Sequence, residues 1–387
     1  MKIIASRFKI IFPKIISQEQ AGFIARRNIT DNITIAQEVI HSMHGKNKKW
    51  MAIKIDLEKA YGRVHWDFIE KSIQVVGIPD YLHRVIMSAI TIATMQVLWN
   101  GIPTEKFKPE RGVRQGCLLS PYLFVLCMEW LGHSFQSSIA SENWNPIKLP
   151  RSGPNLSHIF FEDDLVIFSK ENIKHGILLK NILDQFCSFS GHYVNTRKTN
   201  IFFSKGVAED LIDRLNRILG YQKVQELGKY LSIPLFHKRI TKSTVQFVIE
   251  KVRSKLCNWD AKQLSLAGRL TLVQLVLLTI PNFFMQSMKI PKKVYEEIER
   301  LARQFIWGSN TGGRKLALVD WQTICQPCTF GGLRLRRLHE QNKSFLLKIG
   351  LNLISNQTAL RTRVLRSKYG MKYAFPENLR KGNSFAL

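Results

Sequence analysis

Acidic side chains are scarce in this chain of 387 residues: 29 Asp and Glu stand against 57 Lys and Arg, a formal charge of +28. Such an excess is costly in self-repulsion unless a polyanion or its counterions offset it, so nucleic acid is the favoured partner. No long amphipathic helix with a dedicated basic face stands out, which makes an anionic membrane surface the lesser reading. Cysteine is sparse too. Its six copies, Cys117, Cys127, Cys187, Cys257, Cys325 and Cys328, are scattered, which suits a reducing compartment. Cys325 and Cys328 have the spacing of half a zinc site, but no second pair follows and His339 is the only plausible partner nearby, so ordinary thiols are the simpler reading. Cations interrupt the apolar run of residues 1–9 too soon for a secretory signal. The best apolar stretch, Leu270 to Met285, contains Gln274 and Pro281 and falls short of about 20 residues. It is expected to form a buried helix followed by a turn. There is no internal repeat and no low-complexity tract.

What the chain does have is 45% hydrophobic residues, enough for a core, and a length that suits two or three domains. The run from Ser157 to Phe168 sets Glu162, Asp163 and Asp164 between two apolar, β-prone segments with no helical period, the pattern of a hairpin whose turn carries carboxylates. Strand neighbours point to opposite faces, so Asp163 and Asp164 can share a ligand only where a turn twists them together. Crowded carboxylates repel unless a divalent cation sits between them. A solvated acidic turn accounts for these residues equally well.

A second stretch bears on that choice. From Lys49 to Asp56 the residues alternate, with Met51, Ile53 and Ile55 on one face and Ala52, Lys54 and Asp56 on the other. Asp56 thus ends a strand, and a helical pattern follows from Leu57 to Lys71. A strand-end carboxylate facing a carboxylate hairpin across an antiparallel sheet is the layout that two-metal phosphoryl transfer needs.

Three segments carry a family resemblance: Ile55-Asp56-Leu57-Glu58-Lys59-Ala60-Tyr61, then Arg114-Gln115-Gly116 with Ser120-Pro121-Tyr122-Leu123-Phe124, then Phe161-Glu162-Asp163-Asp164. In this order and spacing they resemble the polymerase motifs of reverse transcriptases, most closely the LINE-type, non-LTR retrotransposon group and particularly its plant members. The resemblance implies an α+β fold: a polymerase palm with an antiparallel sheet, incomplete fingers, a helical thumb and a C-terminal helical extension. The expected division is 1–50 partial fingers, 51–235 palm, 236–294 thumb and 295–387 an extension of unclear role. It also implies fingers strands that would precede Met1.

The resemblance further implies an RNA-directed DNA polymerase that uses two Mg²⁺ ions, an RNA template, a DNA primer and dNTPs, with no membrane involvement. Asp56, Asp163 and Asp164 would be metal ligands and catalytic. Tyr61 would lie under the incoming sugar and leave no room for a 2′-hydroxyl. Arg114, Gln115 and Gly116 match the segment against nucleotide and template, and glycine allows close backbone approach. Arg27 is a candidate template or triphosphate contact, in a place where the family has a glycine-arginine pair and this chain has Arg26-Arg27. Lys198, in the segment resembling the next motif, would protonate or screen the departing pyrophosphate. Leu227 to Leu235 resembles the hairpin that grips the primer. Lys238, Arg239 and Lys242 lead into a helix from Val245 to Leu256, the start of a thumb that follows phosphates without reading sequence. The family also implies nuclear action, although no compact basic import signal is evident.

Departures from the family pattern point to a second reading, a catalytically inactive nucleic-acid-binding relic. Gly62 stands where aspartate is usual, and glycine in a helix costs about 1 kcal/mol relative to alanine. Cys117 and Leu118 replace an aspartate-proline pair. Glu162 replaces a small residue. Its carboxylate either raises the proton affinity of the aspartates and repels a triphosphate, or points harmlessly to the other strand face.

Overall fold

The computed structural model describes residues 1–45, 48–149, 153–235, 240–257, 259, 263–308 and 317–371. Within these the chain divides into two compact units, one of Met1–His237 with Thr358–Gly370 and one built on Lys238–Gln357. Lys238 and Arg239, expected to open the thumb, and 372–387 of the C-terminal extension lie outside the described residues.

The first unit opens with helices α1 (Lys2–Ile15) and α2 (Ile29–Met43). Asn28 stands at the N-cap of α2, and its backbone N–H donates to the Asp31 carboxylate at 3.0 Å. Strand β1 (Trp50–Ile55) follows. The single helix expected over 57–71 is instead two, α3 (Ala60–Arg63) and α4 (Trp66–Val75). The break has a physical cause. The Val64 carbonyl accepts from Gly112 N–H at 2.8 Å and His65 N–H donates to the Ser190 carbonyl at 2.9 Å, so both are withdrawn from a helical ladder.

Helix α5 (Asp80–Thr91) leads to a small hairpin, β2 (Leu98–Trp99) and β3 (Ile102–Pro103). Helix α6 (Ser120–Ala140) carries Pro121 in its first turn, where the missing N–H costs nothing. A short pair, β4 (Ile147–Lys148) and β5 (Asn155–Leu156), precedes the expected carboxylate hairpin, β6 (His158–Phe161) and β7 (Asp164–Lys170). Then come α7 (Ile173–Ser190), β8 (Asn200–Phe203), α8 (Glu209–Leu219), β9 (Gln222–Lys223) and the hairpin β10 (Lys229–Tyr230) and β11 (Ile233–Pro234).

The sheet order is β6-β7-β1-β8-β9, antiparallel except for the β8–β9 edge. Sequence alternation suggested one buried face for β1. In fact Met51, Ala52, Ile53 and Ile55 are all buried, because a central strand covered on both sides hides every apolar side chain. Met51, Ile53, Leu165 and Ile167 join Phe124, Phe135, Leu179 and Phe186 in the main core. Each such fully buried side chain contributes about 1.5–3 kcal/mol. Helix α2 packs against β6.

In the second unit, α9 (Gln246–Cys257), α10 (Leu266–Leu272), α11 (Asn282–Met285), α12 (Lys292–Ile306), α13 (Trp321–Ile324) and α14 (Leu338–Ser355) form an all-helical bundle among the described residues. Asn342 is its polar centre: fully packed, it accepts from Ile290 N–H at 3.1 Å and donates to the Met285 and Met288 carbonyls at 2.8 and 3.0 Å. The apolar stretch corrects its expectation. The expected turn is there, at 278–281 between α10 and α11, but the burial is not: the stretch Leu266–Met285 is long and apolar enough by length and composition to cross a membrane, and only 22% of its apolar window is buried.

Helix α15 (Leu360–Tyr369) returns to the first unit and lies on α2. Arg361 pairs with Asp31 at 2.6 Å and Lys368 with the fully buried Glu38 at 2.6 Å, while Tyr369 donates to both Glu38 oxygens at 3.1 and 2.9 Å.

Candidate active site

The β6–β7 hairpin closes on the pair Phe161 and Asp164, leaving Glu162 and Asp163 as a two-residue turn. Glu162 takes φ +57°, the positive value such turns demand. This turn resolves the problem of adjacent strand side chains, because Asp163 sits in it while Asp164 begins the next strand. On the neighbouring strand Ile55 faces Leu165, so the antiparallel register brings Asp56, one residue on, level with Asp164. The carboxylates are half-buried and feel one another. Burial raises the Asp163 pKa and the Asp56 charge adds to it; burial raises that of Asp164, with Asp163 and Asp56 adding and Lys54 opposing.

Lys54 is a residue the sequence reading overlooked. It lies two positions before Asp56 on the same strand face, and that alternation was the signal. Asn32 and Tyr230 were also missed. Asn32 Nδ2 donates to the Phe160 carbonyl at 2.5 Å and to Tyr230 Oη at 3.5 Å, and Tyr230 Oη donates to the Asp164 carbonyl at 3.4 Å. Nothing in their local sequence marked them, since their partners are distant along the chain.

Among the described residues no three acidic, histidine or cysteine side chains close into a preformed metal cage. A magnesium-type cation binds through one or two carboxylates and fills its shell with water and substrate phosphates. Aspartate oxygens at a half-exposed turn, with their proton affinity raised by burial and then by mutual repulsion, fit that chemistry.

The other predicted residues divide. Tyr61, on α3, stacks on Phe124 with centroids 4.4 Å apart and planes at 13°, and its Oη donates to Glu162 Oε2 at 3.0 Å. The Glu162 carboxylate is engaged by Tyr61 yet still feels the aspartates: burial raises its pKa, the Tyr61 hydrogen bond opposes, and the Asp163 and Asp164 charges add to the rise. Arg114, Gln115 and Gly116 are exposed on a loop that Val113 fastens to the Tyr61 carbonyl at 2.8 Å, and Gly116 takes φ +86°, which favours glycine. Lys198 is exposed on a turn tied to the end of β1: Asn195 N–H donates to the Asp56 carbonyl at 2.8 Å and Asp56 N–H to Thr199 Oγ1 at 3.2 Å.

Arg27 departs from its expected role. Its Nη1 donates to the Ser17 and Gln20 carbonyls and its Nη2 to the Ile16 carbonyl at 2.9 Å, so both terminal nitrogens staple the 16–20 loop instead of waiting for a phosphate.

Residues 1–248 match the family model described as reverse transcriptase (RNA-dependent DNA polymerase). An Arabidopsis thaliana protein named for ribonuclease H is 36% identical over 137 residues, 35% of this chain and 22% of that protein. The Pol polyprotein of the Drosophila melanogaster retrotransposable element R2DM is 28% identical over 179 residues, 46% of this chain and 16% of that protein. A Popillia japonica R2 Pol polyprotein is 23% identical over 283 residues, 70% of this chain and 44% of that protein. The chain thus spans less than half the length of each of these relatives. Among solved structures, a Candida albicans telomerase in complex with a fragment of telomeric RNA aligns with a TM-score of 0.42 at 13% identity, over 95% of this chain and 57% of that one. The retrotransposon relatives agree with the resemblance read from the motifs, and with the family model covering more than half of its length, this chain belongs to the reverse transcriptase family.

Proposed function

We propose that this chain extends a DNA primer on an RNA template, joining deoxynucleotides by two-metal nucleotidyl transfer. The observation that carries the reading is the register of Ile55 against Leu165, which brings Asp56 to the level of the Asp163–Asp164 turn. Asp56, Asp163 and Asp164 would hold two Mg²⁺ ions, which when bound supply charge neutralisation at the reacting phosphates. The protein's own part is placement. Tyr61 forms the floor beneath the sugar. The loop of Arg114, Gln115 and Gly116 lies against base and template. Lys198, on the turn hung from Asp56, meets the departing pyrophosphate with a proton or a charge. Lys54 offsets the carboxylate repulsion while the site is empty of substrate. The basic helices of the second unit follow the phosphates of the duplex.

The test is extension of a DNA primer on an RNA template with Mg²⁺ and dNTPs, comparing the wild type with Asp163→Asn. Extension by the wild type alone supports the proposal; equal extension by both proteins overturns the role given to Asp163, and extension by neither leaves the relic reading, which predicts salt-sensitive binding without incorporation and draws on the +28 charge.

A further inference from the structure

Glu162 is held by more than its turn requires. Its backbone N–H donates to Gln20 Oε1 at 3.1 Å, and the same oxygen accepts from Gly22 N–H at 2.8 Å. A Cβ on Gly22 would lie 2.7 Å from Glu162 N and 2.8 Å from its Cγ, so the absence of a side chain there makes room for the glutamate's own. From this cradle the carboxylate reaches Tyr61 Oη at 3.0 Å. Tyr61 stands on a helix of four residues, too short to fix a ring by itself. Its plane is set by the stack on Phe124, and the direction of its hydroxyl by Glu162.

We propose that Glu162 is a positioning residue for nucleotide selection: by tethering the Tyr61 hydroxyl it immobilises the ring beneath the sugar and sharpens discrimination against ribonucleotides. A ring free to swing yields space to a 2′-hydroxyl, whereas a tethered one does not. The substrate class at issue is a nucleoside triphosphate distinguished only at its 2′ carbon. The assignment rests on the polymerase reading given above and adds to it a role for Glu162.

A double-mutant cycle tests it, using Glu162→Gly, which accepts the positive φ without strain, Tyr61→Phe, which keeps the stack and removes the donor, their combination, and Glu162→Gln, which keeps an acceptor. The readout is the ratio of kcat/KM for dATP over ATP on an RNA template, together with the affinity of the same two nucleotides for the protein on a chain-terminated primer, which needs no turnover. Glu162→Gly and Tyr61→Phe should each lower the ratio about tenfold, mainly through KM for ATP. The double variant should fall no further than either, and Glu162→Gln should stay near wild type. An unchanged ratio in Glu162→Gly with incorporation intact, or losses that multiply in the double variant, overturns the assignment alone. A wild type that neither incorporates nor binds either nucleotide overturns the polymerase reading and this assignment with it.

Discussion

Asn195 donates its backbone N–H to the Asp56 carbonyl at 2.8 Å, so the turn that carries Lys198 hangs from the same strand end as the first carboxylate. Two segments more than a hundred residues apart are thereby built into one end of the sheet. The same end receives the Glu162–Asp163 turn through the pairing of β1 with β7.

This placement makes Lys198 testable in two ways. Lys198→Ala should lower kcat for single-nucleotide incorporation by about 10²-fold, the scale of a lost general acid, with a smaller change in KM. Lys198→Arg separates the two roles: it keeps the charge and restores activity if screening of pyrophosphate is what matters, but it stays inactive if a proton must move, since a guanidinium does not give one up.

Helix α15 is fastened to α2 by largely buried charges. Glu38 is 0% and the Lys368 side chain 10% exposed, and burial lowers the Lys368 pKa in spite of Glu38. Such a pair adds little net stability when formed, yet losing one partner strands the other. Lys368→Met should therefore destabilise the fold by about 3–5 kcal/mol in urea denaturation. The double variant with Glu38→Gln should recover much of that loss.

Gly62 and Gly112 predict opposite outcomes from the same substitution. A Cβ on Gly62 meets nothing within 4 Å, whereas one on Gly112, at φ +84°, would lie 2.7 Å from the Gly62 carbonyl oxygen. Gly62→Ala should raise stability by about 0.5–1 kcal/mol, seen as a higher Tm. Gly112→Ala should lower it.

Stability should fall with acid in a defined window. Burial pushes the His158 pKa down to about 3 and that of His192 down to about 4, so in the folded chain both stay neutral where the unfolded chain, with an ordinary value of about 6.5, is already protonated. The folded state then binds fewer protons. The contribution is fully present above about pH 6.5 and is lost as pH falls toward the folded values, by up to about 1.4 kcal/mol per pH unit for each ring. His158 lies between Phe135 and Phe160, with centroids at 4.9 and 5.1 Å, so His158→Phe should reduce the slope of unfolding free energy against pH between 6.5 and 4.

The strand and the hairpin that frame the candidate site were legible in the sequence. Period-two alternation marked β1, and two apolar runs around Asp163 and Asp164 marked the hairpin, because both depend on neighbours in sequence. The helix over 57–71 was misread because its break is made by Gly112 and Ser190, which local pattern cannot reveal. Arg27 was misassigned for a related reason: a cation in a basic chain looks free until the carbonyls of Ile16, Ser17 and Gln20 are found around it. Glu162 looked like a liability beside the aspartates, and only the position of Tyr61 gave it a partner. The apolar run from Leu270 to Met285 looked like core from hydropathy, which carries no information about what packs on it.

The meeting of Asp56 with the hairpin aspartates is tested most directly by single-turnover incorporation of a dNTP on an RNA template, with and without Mg²⁺, in the wild type and in Asp56→Asn. Asp56 is the carboxylate that only the sheet brings to the turn. The account predicts magnesium-dependent incorporation by the wild type and its loss in Asp56→Asn, with both proteins equally folded by circular dichroism. Equal rates in the two proteins, or no incorporation by a folded wild type, would contradict it.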